Sequence, residues 1–257
     1  GLIGLTIWFA FRHQLKQLSL PSHTRLWVIA SGVLMVTGWG MFFAAIDHVS
    51  ASVATVLFHV QPFWVLVLNI WWLKESIKRQ RIISILLAMV GLVLATGIAE
   101  QILLSTSSSN FAFSKLYWLS VGACIFGALC MACVTIIAKK LRGIHAGVIA
   151  WWQCAIGATV LIMWPFINGW PLFGESWLWL SGLGFIHTGL AYSLIYKGMA
   201  KQRVDRIVVY QFIYPAVVIL IDWQLYDQPL RSSQIFGVII MAVALWFAEH
   251  TQKSKSK

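Results

Sequence analysis

Three titratable side chains lie inside long apolar stretches of this sequence, where a polar group is costly and marks a functional site by default. His59 and His187 fall near the middle of their stretches, and Asp222 falls about 10 Å from the centre of its own at 1.5 Å per helical residue. All three are candidates for proton transfer. Each also has a structural interpretation. The histidines can donate packing hydrogen bonds, and Asp222 can lie in water at the end of its stretch.

A proline lies at the centre of two of these stretches, Pro62 in one and Pro215 in the other. A proline inside a helix lacks the N–H of the usual hydrogen bond, and its ring clashes with the carbonyl four residues earlier. Here those carbonyls belong to Phe58 and Gln211. Such a freed carbonyl either coordinates a ligand amine or only lets the helix bend, and the sequence leaves both interpretations open.

Hydrogen-bonding and aromatic side chains in the apolar stretches complete the candidate site. Residues four or seven positions apart share one helix face. Gln211 and Pro215 are four apart, and Pro215 and Asp222 are seven apart, so the three lie on one face. For each residue taken alone, helix packing is the competing interpretation. The candidate substrate-binding residues are Trp39, His59, Pro62, His187, Tyr192, Gln211, Tyr214 and Pro215, and the candidate proton-coupling residues are His187, Asp222 and His59.

The four cysteines all lie in apolar segments, so we expect no disulfide framework. Cys130 and Cys133 have the C-x-x-C spacing of some metal and redox sites. Small residues packing a helix explain the pair more simply. We therefore expect no metal ion and no cofactor.

The elements that must position these residues follow from the composition. Of 257 residues, 60% are hydrophobic and 11% are charged, whereas soluble domains carry about 25% charged residues. This indicates an all-α integral membrane protein. Nine apolar stretches follow one another, and all except the first are long enough to cross a bilayer. They are Gly1–Phe11, Arg25–Ile46, Ala51–Leu73, Arg81–Gly97, Leu116–Ala138, His145–Ile167, Ser176–Met199, Arg206–Tyr226 and Ser233–His250.

The net charge of +11 reflects membrane topology. If each stretch crosses once, all 19 Lys and Arg residues except Lys115 and Arg231 fall on one side. Positive residues favour the cytoplasmic side, so that side includes the C-terminal tail. The basic segments lack the interleaved aromatics of nucleic-acid sites, and we expect no nucleic-acid partner. The predicted location is a bacterial inner membrane, with the lipid bilayer as partner and a homodimer left open.

The chain contains an internal repeat with a shift of 153 residues, the distance from Pro62 to Pro215. The shift runs without a gap from about Phe43 to Gly91, and it places Asn69 on Asp222. The two proline stretches then cross the membrane in opposite directions. Such an inverted repeat is the architecture of many secondary transporters.

The first copy of the repeat is incomplete. Residue 1 aligns with Cys154, in the middle of a stretch, and Leu116–Ala138 has no partner. We therefore expect an inverted repeat of five plus five transmembrane helices, with the first helix and half of the second missing from this chain. The predicted parts are a first repeat (1–98), an external loop (99–115), a second repeat (116–250) and a cytoplasmic basic tail (251–257).

The chain resembles the drug/metabolite transporter superfamily, in its ten-helix branch of EamA-like transporters. The resemblance lies in FFAAIDHVSASVATVLFHVQPFWVLVLNIWWLKE, in the glycine-bearing ISILLAMVGLVLAT, and in a weaker echo from Tyr192 to Glu249. It departs from the family at Gln228, where an acid is expected, and at Ser84 and Ala244, where glycine is frequent. The resemblance implies a central cavity lined by five of the stretches here: Arg25–Ile46, Ala51–Leu73, Leu116–Ala138, Ser176–Met199 and Arg206–Tyr226.

These observations favour a secondary transporter that moves a small organic metabolite, such as an amino acid, an amine or a drug-like compound, by alternating access. Export is implied by the resemblance alone. A flippase for a lipid or a lipid-linked sugar on the same fold is an alternative. An intramembrane enzyme is a weaker one, because the sequence has no G-x-S-x-G, no H-E-x-x-H and no pair of intramembrane carboxylates.

Overall fold

The computed structural model describes residues 1–49, 51–74, 77–96, 115–170, 172–225 and 231–253. Within these ranges every regular element is helical, as expected for a chain whose backbone polar groups must be satisfied inside a bilayer. The predicted external loop falls outside the described residues except for Lys115, and so do the last four residues of the predicted tail.

Thirteen α-helices occur in the described ranges, and two of them continue as wider π-helical turns. The helices are α1 (Leu2–Phe11), α2 (Ser22–Ile46), α3 (Ala51–Phe58), α4 (Gln61–Leu68), α5 (Arg79–Ala95), α6 (Lys115–Lys140), α7 (Ala146–Leu161), α8 (Met163–Asn168), α9 (Ser176–Gly182), α10 (Ala191–Lys201), α11 (Val204–Tyr210), α12 (Ile213–Leu225) and α13 (Ser232–Lys253). The π-helical segments are Asn69–Leu73, after α4, and Leu183–Leu190, between α9 and α10.

Six helical segments among the described residues are long and apolar enough to cross a membrane, which makes this a multi-pass membrane protein. They are Ser22–Ile46, Val53–Leu73, Lys115–Lys140, Ala146–Asn168, Ser176–Lys201 and Val204–Ile221. The sequence predicts two more spans. One corresponds to α5, which has 17 described residues, and the other to the shorter apolar helix Ser232–Ala248. Both of these predicted spans are helical.

The chain divides into two units. The first unit comprises Gly1–Thr37 and Cys133–Gln202, and the second comprises Gly38–Ala132 and Arg203–Lys257. In each unit, segments that are distant along the sequence pack together.

In the first unit, α7 packs against α1 and α10. Two neighbouring tryptophans of α7 form hydrogen bonds to residues near the start of the chain. The indole N–H of Trp151 donates to the hydroxyl of Thr6 at 2.7 Å, and that of Trp152 donates to the carbonyl of Leu18 at 2.9 Å. Each large apolar ring therefore has its polar atom satisfied, as burial in an apolar region requires.

In the second unit, the main packing is that of α5 along α13. The two helices approach most closely at Gly91 and Gly237. A Cβ atom built on Gly237 would lie 2.5 Å from the carbonyl oxygen of Gly91, and one built on Gly91 would lie 2.7 Å from that of Gly237. Ser84 and Ala244 are also fully buried. Small residues allow this contact because they let two backbones meet, which is how membrane helices commonly associate.

Candidate functional site

Two apolar segments of the second unit are broken at their prolines. The first break separates α3 from α4, which has Pro62 in its first turn, and the second separates α11 from α12, which contains Pro215. At each break a backbone N–H reaches back three residues. Val60 donates to Leu57 at 3.2 Å, and Phe212 donates to Val209 at 3.1 Å. The tightened turns follow from the missing N–H and the bulky ring of proline.

His59 lies in the first break and faces residues of the second. Its imidazole is parallel to the ring of Tyr214, with 6.4 Å between centroids and 5° between planes, and 6.4 Å from the buried ring of Phe212. Its Nδ1 lies 2.7 Å from the carbonyl oxygen of Thr55. A carbonyl can only accept, so in the neutral ring Nδ1 carries the proton and Nε2 is left as an acceptor.

The buried polar atoms of the second unit that have no hydrogen-bond partner among the described residues include Oε1 of Gln211 and Nε1 of Trp64. Gln211 lies in the second break and Trp64 in the first turn of α4, just after the first break. Buried polar atoms are nearly always satisfied by protein, water or ligand. One acceptor and one donor beside the breaks are therefore suited to a polar ligand.

An aromatic cluster lies on the α2 side of the first break. Trp39 is half-buried and contacts Phe58 at 5.5 Å and Phe43 at 5.8 Å between ring centroids, and Phe42 lies 4.8 Å from Phe58. These distances fall in the range of favourable aromatic pairs. The cluster gives the first break a rigid apolar wall, since Phe58 is the last residue of α3.

The structure thus brings together some of the predicted site residues. His59, Tyr214 and Gln211 lie at the two breaks with the buried Pro62 and Pro215. Their roles in binding stay predictions.

The other predicted residues lie elsewhere. In the first unit, Tyr192 contacts Tyr196 at 5.9 Å between centroids, and His187 is exposed in the π-helical segment Leu183–Leu190. The side chain of Asp222 lies outside the described residues, although α12 includes its backbone.

Sequence reasoning missed a buried ion pair in the second unit. The Nε of Arg81 lies 3.7 Å from Oδ2 of Asp205, and each side chain is 2% exposed. Oδ1 of Asp205 accepts from Nε of Arg203 at 3.3 Å. Asp205 also lies in the first turn of α11, where the helix dipole favours a negative charge. The signal in the sequence was an acid at the start of an apolar stretch, close to several cations.

A polar network in the first unit was also missed. The hydroxyl of Tyr196 donates to Oε1 of Gln153 at 2.6 Å, and Nε2 of Gln153 donates to the hydroxyl of Ser31 at 3.2 Å. All three side chains are buried. The network links α10, α7 and α2 by hydrogen bonds within an otherwise apolar region.

No group of three or more His, Cys, Asp or Glu side chains that could hold a metal ion occurs in the described part of the chain. Cys130 is buried and Cys133 is half-buried, both in α6 and both as free thiols.

Comparison with known proteins gives matches over most of the chain. The model of the EamA-like transporter family matches residues 1–97 and 118–248. The chain is 26% identical over 201 residues to the uncharacterized transporter YxxF of Bacillus subtilis (strain 168), covering 77% of this chain and 61% of that protein. It is 24% identical over 226 residues to an uncharacterized transporter of Archaeoglobus fulgidus, covering 87% of this chain and 75% of that protein. The chain thus spans less than two thirds of the length of YxxF.

A solved crystal structure with 15% sequence identity superposes with a TM-score of 0.79, covering 98% of this chain and 85% of that one. This likeness shows the fold. Together with the family match over both halves of the sequence, it confirms the resemblance drawn from the proline-centred stretches. The chain belongs to the EamA-like transporter family, within the drug/metabolite transporter superfamily.

Proposed function

We propose that this transporter moves a small organic metabolite across the membrane by alternating access, in the direction of export. The observation that carries the proposal is the pair of proline breaks in the second unit. The ring of His59, in one break, is parallel to that of Tyr214, just after the other break, with 6.4 Å between ring centroids. Broken helices with polar groups at their ends form the substrate sites of many secondary transporters.

The proposed architecture is an inverted repeat of five plus five helices, with the C-terminus in the cytoplasm of a bacterial cell. The two breaks support it, because they fall at nearly equivalent positions under the shift of 153 residues that superposes Pro62 on Pro215. The α5–α13 contact supports it as well. The shift relates Gly91 to Ala244 and Ser84 to Gly237, and all four are buried.

The proposed substrate is a zwitterion or an amine with an apolar body. Nε2 of His59 and Oε1 of Gln211 are acceptors suited to an ammonium group, and Nε1 of Trp64 is a donor suited to a carboxylate. The faces of Tyr214 and Trp39 offer apolar and cation–π contact. An amino acid is the simplest molecule that combines these groups.

The proposed cycle uses the breaks as hinges. Without the hydrogen bond to the proline nitrogen, each pair of half-helices can change its angle at a smaller cost than an intact helix. Rocking of the half-helices would then open the site to one side of the membrane at a time. His59, His187 and Asp222 are the proposed proton-coupling residues, and of these His59 lies at the breaks.

The test is transport into proteoliposomes by the full chain. Radiolabelled amino acids and small amines are offered with and without a pH gradient. We expect accumulation of at least one of them that depends on the gradient. Equilibration indifferent to the gradient would remove the coupling role of His59, His187 and Asp222.

Two substitutions separate binding from coupling at His59. Gln keeps a hydrogen-bond acceptor but does not titrate, so His59→Gln should retain exchange of substrate and lose accumulation driven by the gradient. His59→Leu should lose both. His48→Gln is the matched control, because His48 is exposed and lies outside the breaks. Equal transport by all three variants would exclude His59 from the mechanism.

The second candidate is a flippase for a lipid or a lipid-linked sugar. One observation favours it. Tyr214, beside His59, is 64% exposed on a helix within a membrane-spanning segment, so the site can be reached from the side. Absence of flux for every water-soluble compound, together with movement of a fluorescent lipid between leaflets, would favour this function.

A further inference from the structure

The first unit contains a candidate site of its own, formed by residues of that unit alone. It is a cavity of about 570 Å³, a size typical of ligand sites. Three walls form it: α1, the start of α7, and the π-helical segment with α10. Its lining residues include Leu5, Arg12, His145, Leu190, Leu194 and Lys197.

The cavity is basic. Arg12 and Lys197 both line it, and none of its lining residues is acidic. His145 adds a further donor. Its Nδ1 accepts from the backbone N–H of Gly147 at 3.2 Å, so the neutral ring carries its proton on Nε2. The chemistry of the cavity therefore selects an anion.

Trp8 contacts both Arg12 and His145. The guanidinium carbon of Arg12 lies 5.6 Å above the Trp8 ring, and the imidazole of His145 lies 6.1 Å from that ring with 27° between planes. Phe9 contacts His145 edge-on at 5.9 Å. These contacts already restrict Arg12 and His145 before a ligand binds. Binding therefore costs less conformational entropy at these two side chains.

Polarity changes along the cavity walls in the same order on both long helices. On α1, Leu5, Trp8 and Arg12 follow one another at helical spacing over about 10 Å. On the other wall, the apolar Leu190 and Leu194 precede Lys197. On each wall, apolar residues are thus followed by a cationic one.

This gradient distinguishes a lipid from a water-soluble metabolite. The ends of membrane spans lie at the level of the lipid headgroups, where basic pockets bind anionic phosphates. Arg12 directly follows α1, His145 directly precedes α7, and Lys197 lies near the end of α10. A phospholipid has the matching order, an anionic phosphate followed by an acyl chain.

We propose that this cavity binds one anionic phospholipid, with the phosphodiester at Arg12, Lys197 and His145 and an acyl chain along Leu5, Leu190 and Leu194. The charge distribution of the sequence assigns the lipid to the cytoplasmic leaflet. The site requires no particular transported substrate, so it stands apart from the proposed transport function.

The test measures lipid binding to the full chain in detergent by native mass spectrometry, with phosphatidylglycerol and phosphatidylcholine of equal chain length. Each cation near an anionic headgroup accounts for about a fivefold change in affinity. The double variant Arg12→Gln/Lys197→Gln should therefore bind phosphatidylglycerol about 25-fold more weakly, with little change for phosphatidylcholine. Equal affinity of the wild-type protein for both lipids would overturn the proposal without any variant.

The matched control is Lys16→Gln/Lys201→Gln. It removes the same charge from exposed positions near the same helix ends, and neither residue lines the cavity. An equal loss of affinity in the control would mean a diffuse surface effect and would overturn the site. Displacement of the lipid by millimolar glycerol phosphate would also overturn it, because a soluble anion would then be the ligand. No substrate is present in these measurements, so their failure leaves the transport proposal intact.

Discussion

Arg81 and Asp205 form an ion pair in which each side chain is 2% exposed and Nε lies 3.7 Å from Oδ2. The pair joins the first turn of α5 to the first turn of α11. Two charges in such an environment stabilise the structure only together, because each would be costly alone. Since α11 also packs against α4, the pair helps to fix both helices beside the proline breaks.

Removal of one partner of this pair should be strongly destabilising. We expect Asp205→Asn to lower the free energy of unfolding by about 3–5 kcal/mol, because it removes the buried negative charge whose Oδ2 lies 3.7 Å from Nε of Arg81. The decrease in Tm should exceed about 6 °C in a thermal unfolding experiment in detergent.

Two further variants test whether the loss of stability comes from a buried charge left uncompensated or from the lost contact between Arg81 and Asp205. Arg81→Met/Asp205→Leu should recover most of the stability, since replacing both charges by apolar groups is often neutral or stabilising. Arg203→Gln should change stability by less than about 1 kcal/mol, because Arg203 is 54% exposed. A double variant as unstable as Asp205→Asn would contradict this account.

The second prediction concerns the close contact of α5 and α13. Gly237→Leu should separate the two helices, since even a Cβ on Gly237 would lie 2.5 Å from the carbonyl oxygen of Gly91. We expect a loss of about 3 kcal/mol or more, in the range of severe overpacking, measured by thermal unfolding. Gly122→Leu is the control, because a Cβ on Gly122 meets nothing within 4 Å. Equal effects of the two substitutions would argue against the contact.

The third prediction concerns the hydroxyl of Tyr196, which donates to Oε1 of Gln153 at 2.6 Å. Tyr196→Phe removes the donor and leaves a buried acceptor, at a cost of about 1–3 kcal/mol. Tyr214→Phe should have little effect on stability, because Tyr214 is 64% exposed. The measurement is the free energy of unfolding of both variants and of the wild-type protein. If Tyr196→Phe has the same free energy of unfolding as the wild-type protein, the hydrogen bond contributes nothing to stability.

The fourth prediction concerns the breaks themselves. Pro62→Ala and Pro215→Ala restore a backbone N–H that can bond to the carbonyl four residues earlier. We expect folded, stable variants whose transport rate falls by about tenfold or more, because a continuous helix bends at greater cost. Pro21→Ala, outside the breaks and just before α2, should transport as the wild-type protein does. Normal transport by both break variants would exclude the hinge function.

The sequence alone determined the class of the protein, the stretches that become helices and the positions of two of their breaks. These features are local. Hydrophobicity over about 20 residues fixes a membrane span, and a proline acts on the helix that contains it. The prolines at 62 and 215 therefore predicted the two breaks, and the repeat shift predicted that they correspond.

Only the tertiary structure decided which faces of the helices meet. A membrane helix is apolar all round, so its sequence carries little periodicity from which to identify the inward face. The partners of Asp205 and Gln153 are therefore not readable from the chain, and neither is the meeting of His59 with Tyr214 across the two breaks. Such contacts join residues far apart in sequence, and their geometry depends on how each helix is rotated and packed.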